Sequence, residues 1–149
     1  MQIWVDADAC PNPIKEILFR AAQRCQVPLT LVANHVIRVP PSPLIKARQV
    51  ESGFDVADNF IVQQLSPGDI VITGDIPLAA EAVAKGALVI SPRGEQFTTA
   101  NVKQRLAMRN LMEELRSTGE VRGGPASMGS TERQQFANAL DRLLTTHKN

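Results

Sequence analysis

Four short runs of large apolar residues, separated by stretches with helical spacing, constrain the fold of this chain more than any other feature. They predict strands at residues 2–6, 29–33, 70–73 and 87–90. Strands that alternate with helices form parallel pairs joined by right-handed crossovers. The chain is therefore predicted to be an α/β protein with a doubly wound, mainly parallel sheet.

The segments between these runs carry the helical signals. Asn12 and Pro13 favour the start of a helix, because Asn accepts free backbone N–H groups and Pro is tolerated in the first turn. Residues 45–51 fit either a short strand or a helical turn, and the three prolines at 39–43 predict a loop. Helices are predicted from Asn12 to Cys25 and over 56–65, 77–84, 99–116 and 131–146.

Composition indicates a globular protein. The 149 residues are about one domain, and 44% apolar with 21% charged residues is ordinary for a folded chain. Cys10 and Cys25 belong to no CxxC pair or Cys/His cluster, which disfavours a disulfide framework and a structural zinc site. No signal peptide or membrane span is recognisable, so we expect a cytoplasmic protein, and the glycines form no nucleotide-binding loop.

Acidic residues stand where two of the predicted strands end. Asp6 and Asp8 follow the first strand, and Asp75 follows the strand at 70–73. Open α/β sheets bind ligands at the carboxyl ends of their strands, where the winding direction reverses. Asp55 and Asp58 lie at the start of the middle helix, on one side of its first turn. Converging carboxylates repel one another, so Mg²⁺ or Mn²⁺, hard cations that prefer oxygen ligands, are the candidate cofactors.

Structural roles are open for several of these residues. Asp58 can interact with the helix dipole, and Asp75 can cap the helix that follows it. Asp6 is harder to explain in this way, because an acid in line with a buried strand loses solvation unless it is paired or ligated. Asp8 can point into the site or away from it. Cys10 has no nearby His and is predicted to be a small buried residue, not a reactive thiolate.

Basic residues are more frequent after Pro92 than before it. The first part of the chain has seven Lys and Arg against nine Asp and Glu, and the remainder has nine against six. Guanidinium groups bind phosphate through paired hydrogen bonds. Arg93 and Arg122, each in a loop that contains glycine, are the candidates for binding a substrate phosphate.

Five segments of the chain resemble the bacterial YaiI/YqxD family, which is grouped with the PIN-like domains. The segments are DADACPNPIK at 6–15, VESGFDVADNFI at 50–61, IVITGDIPLA at 70–79, GALVISPRGE at 86–95 and RGGP at 122–125. The resemblance implies a three-layer, doubly wound, mainly parallel PIN-like sheet with C-terminal helices. It also implies one domain over 1–149, in which residues 99–149 are a helical extension.

PIN-like domains are often metal-dependent ribonucleases, so the resemblance implies a reaction. Asp6, Asp58 and Asp75 correspond to the catalytic acids of such a site, with Asp8 and Asp55 as further ligands of Mg²⁺ or Mn²⁺. RNA is the implied substrate, with no membrane partner, and the oligomeric state is left open. After Asp75 no acid occurs until residue 81, a departure that implies a weaker site or a single metal ion.

Two other classes of function are open. DADAC also resembles the DxDxT/V start of haloacid-dehalogenase phosphatases, with Asp6 as nucleophile and Asp8 as general acid. Those enzymes need a Ser or Thr on a separate strand end and a later Lys, whereas Thr73 and Asp75 share one strand end here. A non-catalytic PIN-like module that binds RNA or a protein is the stronger alternative. Metal-dependent turnover distinguishes a nuclease from such a module.

Overall fold

The protein is described by a computed structural model, which covers residues 1–53, 55–117 and 128–147. Within these residues, six strands form one sheet in the order β3-β2-β1-β4-β5-β6. The strands are β1 (Ile3–Asp6), β2 (Leu29–Ala33), β3 (Ile45–Gln49), β4 (Ile70–Ile72), β5 (Leu88–Ile90) and β6 (Gln96–Phe97).

Five α-helices and one 3₁₀ turn, at Ala7–Ala9, are found in the same residues. The helices are α1 (Asn12–Cys25), α2 (Val56–Gln64), α3 (Ile76–Ala84), α4 (Val102–Ser117) and α5 (Ser130–His147). In the part of the chain that the structure covers, no helix is both long enough and apolar enough to cross a membrane.

The sheet is parallel except at one edge. β1 pairs with both β2 and β4, β3 pairs with β2, and β5 pairs with β4, all in parallel; only β6 is antiparallel to its neighbour. The direction of winding reverses between β1 and β4. The predicted doubly wound, mainly parallel sheet is confirmed.

Alternate side chains of the strands face opposite sides of the sheet and build two cores. Ile3 and Val5 of β1 pack in a cluster with residues of α1 and α5, whereas Trp4 packs in a second cluster with residues of α2 and α3. Val102 of α4 belongs to the second cluster. The sheet therefore lies between two layers of helices, which is consistent with the three-layer arrangement of a PIN-like fold.

The structure resolves one ambiguous segment and differs from the expectations at two places. Residues 45–51, which fitted two interpretations, contain strand β3. Asn12 is not a helix cap: α1 begins at Asn12 itself, and Pro11 holds the capping position without a side-chain hydrogen bond. Strand β6 was not predicted, because two residues are too few to show a periodic pattern.

Asp69 is a buried acid at the amino edge of the sheet, opposite the predicted site. Its carboxylate accepts hydrogen bonds from the backbone N–H groups of Gln2 and Ser66, both at 3.0 Å, and from the indole N–H of Trp4 at 3.2 Å. These three donors compensate for its burial. Asp69 therefore has a structural role, joining β1 to the turn before β4.

Candidate metal centre

The reversal of winding brings the carboxyl ends of β1 and β4 side by side. Asp6 is the last residue of β1, and residues 73–75 directly follow β4. Neighbouring strands are about 4.8 Å apart, so side chains at these two ends reach the same space. Asp58, in the first turn of α2, lies at the same edge. The position is the topological switch point at which open α/β sheets bind ligands.

All five predicted metal ligands line one cleft of about 270 Å³, which we call the acidic cleft. Its lining residues are Asp6, Asp8, Asn34, Glu51, Gly53, Asp55, Val56, Ala57, Asp58 and Asp75. Glu51 adds a sixth carboxylate that sequence analysis did not single out. Among the described residues, no Lys or Arg lines this cleft.

Thr73 orients the buried carboxylate of Asp6. Asp6 is 8% exposed, and Thr73 is 1% exposed. The Thr73 hydroxyl donates a hydrogen bond to Oδ2 of Asp6 at 3.0 Å and accepts one from the backbone N–H of Asp75 at 3.0 Å. Thr73 thus links the two acidic strand ends. In the sequence analysis, Thr73 was considered only as a possible phosphatase residue. Its position directly after a strand was the signal that could have indicated a role beside the acidic residues.

The environment of Asp6 raises the pKa of its carboxyl group. Burial is the largest influence and raises the pKa of Asp6, whereas the hydrogen bond from Thr73 lowers it. The negative charges of Asp75 and Asp8 raise it further, and the net direction is upward. In the absence of a cation, the charged form of this acid is therefore less favourable than it is in water.

Asp75 takes part in two hydrogen bonds, one as the cap of α3 and one with Asp58. Its Oδ1 accepts a hydrogen bond from the backbone N–H of Leu78 at 2.9 Å, which confirms it as the cap of α3. It also forms a side-chain hydrogen bond with Asp58. Burial, the charges of Asp75, Asp6 and Asp55, and this hydrogen bond together raise the pKa of Asp58 to about 7. Near neutral pH, Asp58 is therefore partly protonated and can donate a hydrogen bond to Asp75.

The substitution Asp58→Asn is expected to stabilise the metal-free protein at about pH 8 and to change little at about pH 4. The pKa of Asp58 is raised from 3.8 to about 7 on folding, so this group's contribution to stability is full below pH 3.8 and is lost as the pH rises through about 7. Asn removes the unfavourable charged form. Because Asp58 is partly exposed, solvent screens the effect, and we expect a gain of about 1 kcal/mol.

Urea unfolding in EDTA at both pH values measures this gain. Asp141→Asn is the matched control, because it changes an exposed carboxylate on α5 to an amide far from the cleft. An equal gain for Asp58→Asn at both pH values would contradict the electrostatic explanation.

Asp55 and Asp8 are held in different ways at the rim of the cleft. Asp55 precedes α2 in the left-handed region, with φ of 64°, and makes no capping hydrogen bond with its side chain. In Asp8, Oδ1 lies 2.8 Å from Nδ1 of His35, and Oδ2 accepts a hydrogen bond from the backbone N–H of Asn34 at 2.9 Å. Both oxygens of Asp8 are engaged, so it fits a supporting role better than direct ligation. His35 is an exposed loop residue, and its pairing with Asp8 was not predicted.

The donor set fits a hard divalent cation in its chemistry, but not in its present spacing. The cleft offers carboxylate oxygens and negative charge, which Mg²⁺ and Mn²⁺ prefer. Among the residues that the structure covers, however, no group of three or more His, Cys, Asp or Glu side chains is placed to hold a metal ion. Ligation therefore requires the carboxylates to rotate toward a common point, and the metal site stays a prediction.

Arg93 does not line the acidic cleft. Its Nη1 lies 3.8 Å from Oε1 of Glu132, and it lines a separate cleft of about 550 Å³, which we call the α5 cleft. The lining residues of the α5 cleft are Arg93, Gly94, Glu95, Gln135, Asn138 and Arg142. The loops after β4 and β5 are adjacent, since a Cβ on Gly74 would lie 3.9 Å from Cδ of Pro92. Arg122 falls outside the described residues.

Cys10 is buried, as predicted. It is 6% exposed, and burial raises the pKa of its thiol to about 12. A thiol with such a pKa is protonated at neutral pH and is a poor nucleophile. Cysteine chemistry therefore has no part in this site.

The fold and the cleft define a three-layer α/β protein with an acidic site at its topological switch point. The family model described as "Uncharacterized BCR, YaiI/YqxD family" matches residues 4–146. The chain belongs to this family, which confirms the resemblance of the five sequence segments.

Relatives match over almost the whole length of the chain. It is similar to the UPF0178 protein of Saccharophagus degradans, with 63% identity over 145 residues that cover 97% of this chain and 96% of the relative. The UPF0178 proteins of Bordetella petrii and Shewanella amazonensis are each 64% identical over 144 residues, covering 97% of this chain and 96% or 97% of the relative. No solved structure matches the chain significantly.

Proposed function

We propose that this protein is a divalent-metal-dependent nuclease that hydrolyses RNA phosphodiester bonds in the acidic cleft. The supporting observation is the gathering of Asp6, Asp58 and Asp75 at the switch point of the sheet, without a lining Lys or Arg among the described residues. Burial and the neighbouring negative charges raise the pKa of Asp58 to about 7. A bound cation relieves the repulsion between these charges, so the metal-free site favours binding of a divalent ion.

In this proposal, Asp6, Asp58 and Asp75 hold Mg²⁺ or Mn²⁺, and Asp55 and Asp8 complete the rim. The bound ion supplies Lewis acidity, which lowers the pKa of water and stabilises charge on phosphate oxygens. The chain's own groups prepare the site. The Thr73 hydroxyl holds Oδ2 of Asp6, which leaves Oδ1 of Asp6 to ligate, and the Leu78 N–H holds Oδ1 of Asp75.

Arg93 is proposed to bind a substrate phosphate from the loop next to Asp75. Together with Arg142 it gives the α5 cleft two guanidinium groups, and the carboxamides of Gln135 and Asn138 lie in the same cleft. Guanidinium groups suit phosphate oxygens because they donate paired hydrogen bonds. The choice of RNA over DNA rests on the PIN-like resemblance.

A non-catalytic module that binds RNA or a protein is the second candidate. The absence of a preformed metal group among the described residues favours it. The phosphatase alternative has less support, because both oxygens of Asp8 are already engaged. In addition, no Lys of the described residues lines the cleft.

Calorimetric titration of Mn²⁺ into the metal-free protein, followed by an RNA cleavage assay, tests the proposal. We expect saturable binding with release of protons, because Asp58 is partly protonated near neutral pH. Single-stranded RNA should then be cut in the presence of Mn²⁺, and EDTA should stop the reaction. Binding without cleavage would favour the non-catalytic module. Absence of binding would overturn the metal site and the nuclease together.

A further inference from the structure

A third cleft adjoins the acidic cleft on the side of α1. This α1 groove, of about 370 Å³, lies between the first turns of α1 and the loop after β2, from His35 to Arg38. His35 lines the groove, while its Nδ1 lies 2.8 Å from Oδ1 of Asp8, which lines the acidic cleft. The two clefts therefore meet at the Asp8–His35 pair, along the carboxyl edge of the sheet.

The α1 groove differs from the acidic cleft in charge. Lys15 and Arg38 line it, together with the single carboxylate of Glu16. Neither Lys15 nor Arg38 forms an ion pair with another described residue. In contrast, ion pairs are formed by Arg24, Arg93, Arg105 and Arg109. Two cations without carboxylate partners beside a site for phosphodiester chemistry suit a phosphate group.

Apolar surface lies in the same groove. Val36 is 76% exposed, and Phe19 and Ile37 are partly buried against the core. All three line the groove. A nucleotide has an anionic phosphate and an apolar base face, and the base can pack on such side chains while the phosphate contacts cations. The groove thus offers complementary surface to both parts of a nucleotide.

We propose that the α1 groove binds a nucleotide adjacent to the bond that is cleaved in the acidic cleft, with its phosphate at Lys15 and Arg38 and its base against Val36 and Phe19. This inference rests on the proposed function. It adds a contact on the side of the acidic cleft opposite Arg93, because the strand order places β2, β1, β4 and β5 in succession.

The distance between the α1 groove, which contains Lys15 and Arg38, and Arg93 in the loop after β5 determines the class of substrate. The loops after β2 and β5 are three strand spacings apart, which is about 15 Å. A phosphate ester of a single nucleotide is too short to contact both regions. The substrate is therefore a single strand several nucleotides long, which crosses the carboxyl edge of the sheet with the acidic cleft at its middle.

The double variant Lys15→Gln/Arg38→Gln tests this groove in the Mn²⁺-loaded protein. Its control is Arg20→Gln/Lys103→Gln, which removes two exposed cations, one of them also on α1, that line none of the three clefts described. With a single-stranded RNA of about ten nucleotides, the groove variant should raise KM about tenfold over the control, with kcat little changed. The slope of log KM against log salt should fall by about 0.7, because the one phosphate of a single strand held by Lys15 and Arg38 is no longer neutralised.

Binding of the same RNA, measured by fluorescence anisotropy, separates this inference from the proposed function. If both double variants have equal KM and equal Kd for RNA while the wild-type protein cleaves it, the groove proposal is wrong and the nuclease stands. If no protein cleaves RNA but only the groove variant loses affinity, the groove stands and the nuclease is wrong. Equal affinities without cleavage overturn both.

Discussion

Asp6→Asn is expected to weaken Mn²⁺ binding by more than about 100-fold and to abolish RNA hydrolysis. Loss of an outer partner of a metal ligand already costs about 10- to 100-fold, and Asp6 is proposed as a direct ligand. Asn keeps the shape of the side chain and an oxygen that can accept the hydrogen bond from Thr73. The variant therefore removes the charge while preserving the 3.0 Å contact that orients the side chain.

The fold of the Asp6→Asn variant should be intact. Because burial raises the pKa of Asp6, a neutral amide at this position should not lower the free energy of unfolding of the metal-free protein near neutral pH. Calorimetry with Mn²⁺, RNA cleavage and urea unfolding in EDTA measure the three properties. Asp141→Asn is the control, since its exposed ion pair with Arg24 contributes little to stability. Wild-type Mn²⁺ affinity in Asp6→Asn would remove Asp6 from the proposed ligands.

Gly94→Ala is expected to lower the free energy of unfolding by about 3 kcal/mol. Gly94 has φ of 89°, in the left-handed region that disfavours other residues. A Cβ built there would lie 2.7 Å from both the backbone C and O of Gln135 in α5, so the loop or the helix must move. Backbone strain costs about 1–2 kcal/mol, and overpacking costs about 1–3 kcal/mol. The contact also fixes the loop that carries Arg93 against α5.

Gly68→Ala is the matched control for this substitution. Gly68 has the same φ of 89°, but a Cβ at this position would have no other atom within 4 Å. Gly68→Ala should therefore lower the free energy of unfolding only by the conformational cost of about 1–2 kcal/mol. Urea unfolding, followed by the fluorescence of Trp4, the single tryptophan, measures both variants. If both variants lost the same free energy of unfolding, the close contact between the Gly94 loop and α5 would not contribute to the cost of Gly94→Ala.

The strands and helices were predictable where the pattern is local and long enough. The apolar runs became β1, β2, β4 and β5, and the helical spacings became α1 to α5. Strand β3 was ambiguous because its residues after Ile45 are exposed at the sheet edge and show no clear alternation of burial. Strand β6 has too few residues for any periodic signal.

Part of the candidate site was also predictable, because it depends on local patterns in the sequence. Asp6 and Asp75 follow apolar strands, and parallel strands place their carboxyl ends at one edge of the sheet. Thr73 was missed as an orienting residue because its hydroxyl contacts Asp6, which is 67 positions away in the chain. The pairing of His35 with Asp8 was missed because no sequence spacing links a loop after β2 to the end of β1.

The sequence by itself determined which acids stand at strand ends and which segments bury apolar side chains, because both depend on neighbouring residues. Only the tertiary structure decided that Asp58 meets Asp75, that Arg93 lines the α5 cleft, and that Lys15 and Arg38 line the α1 groove. These relations depend on the order of the strands and on which face of the sheet each helix covers. Distances between groups far apart in the chain, and the burial that raises the pKa of Asp58, arise only once those strands and helices have packed together.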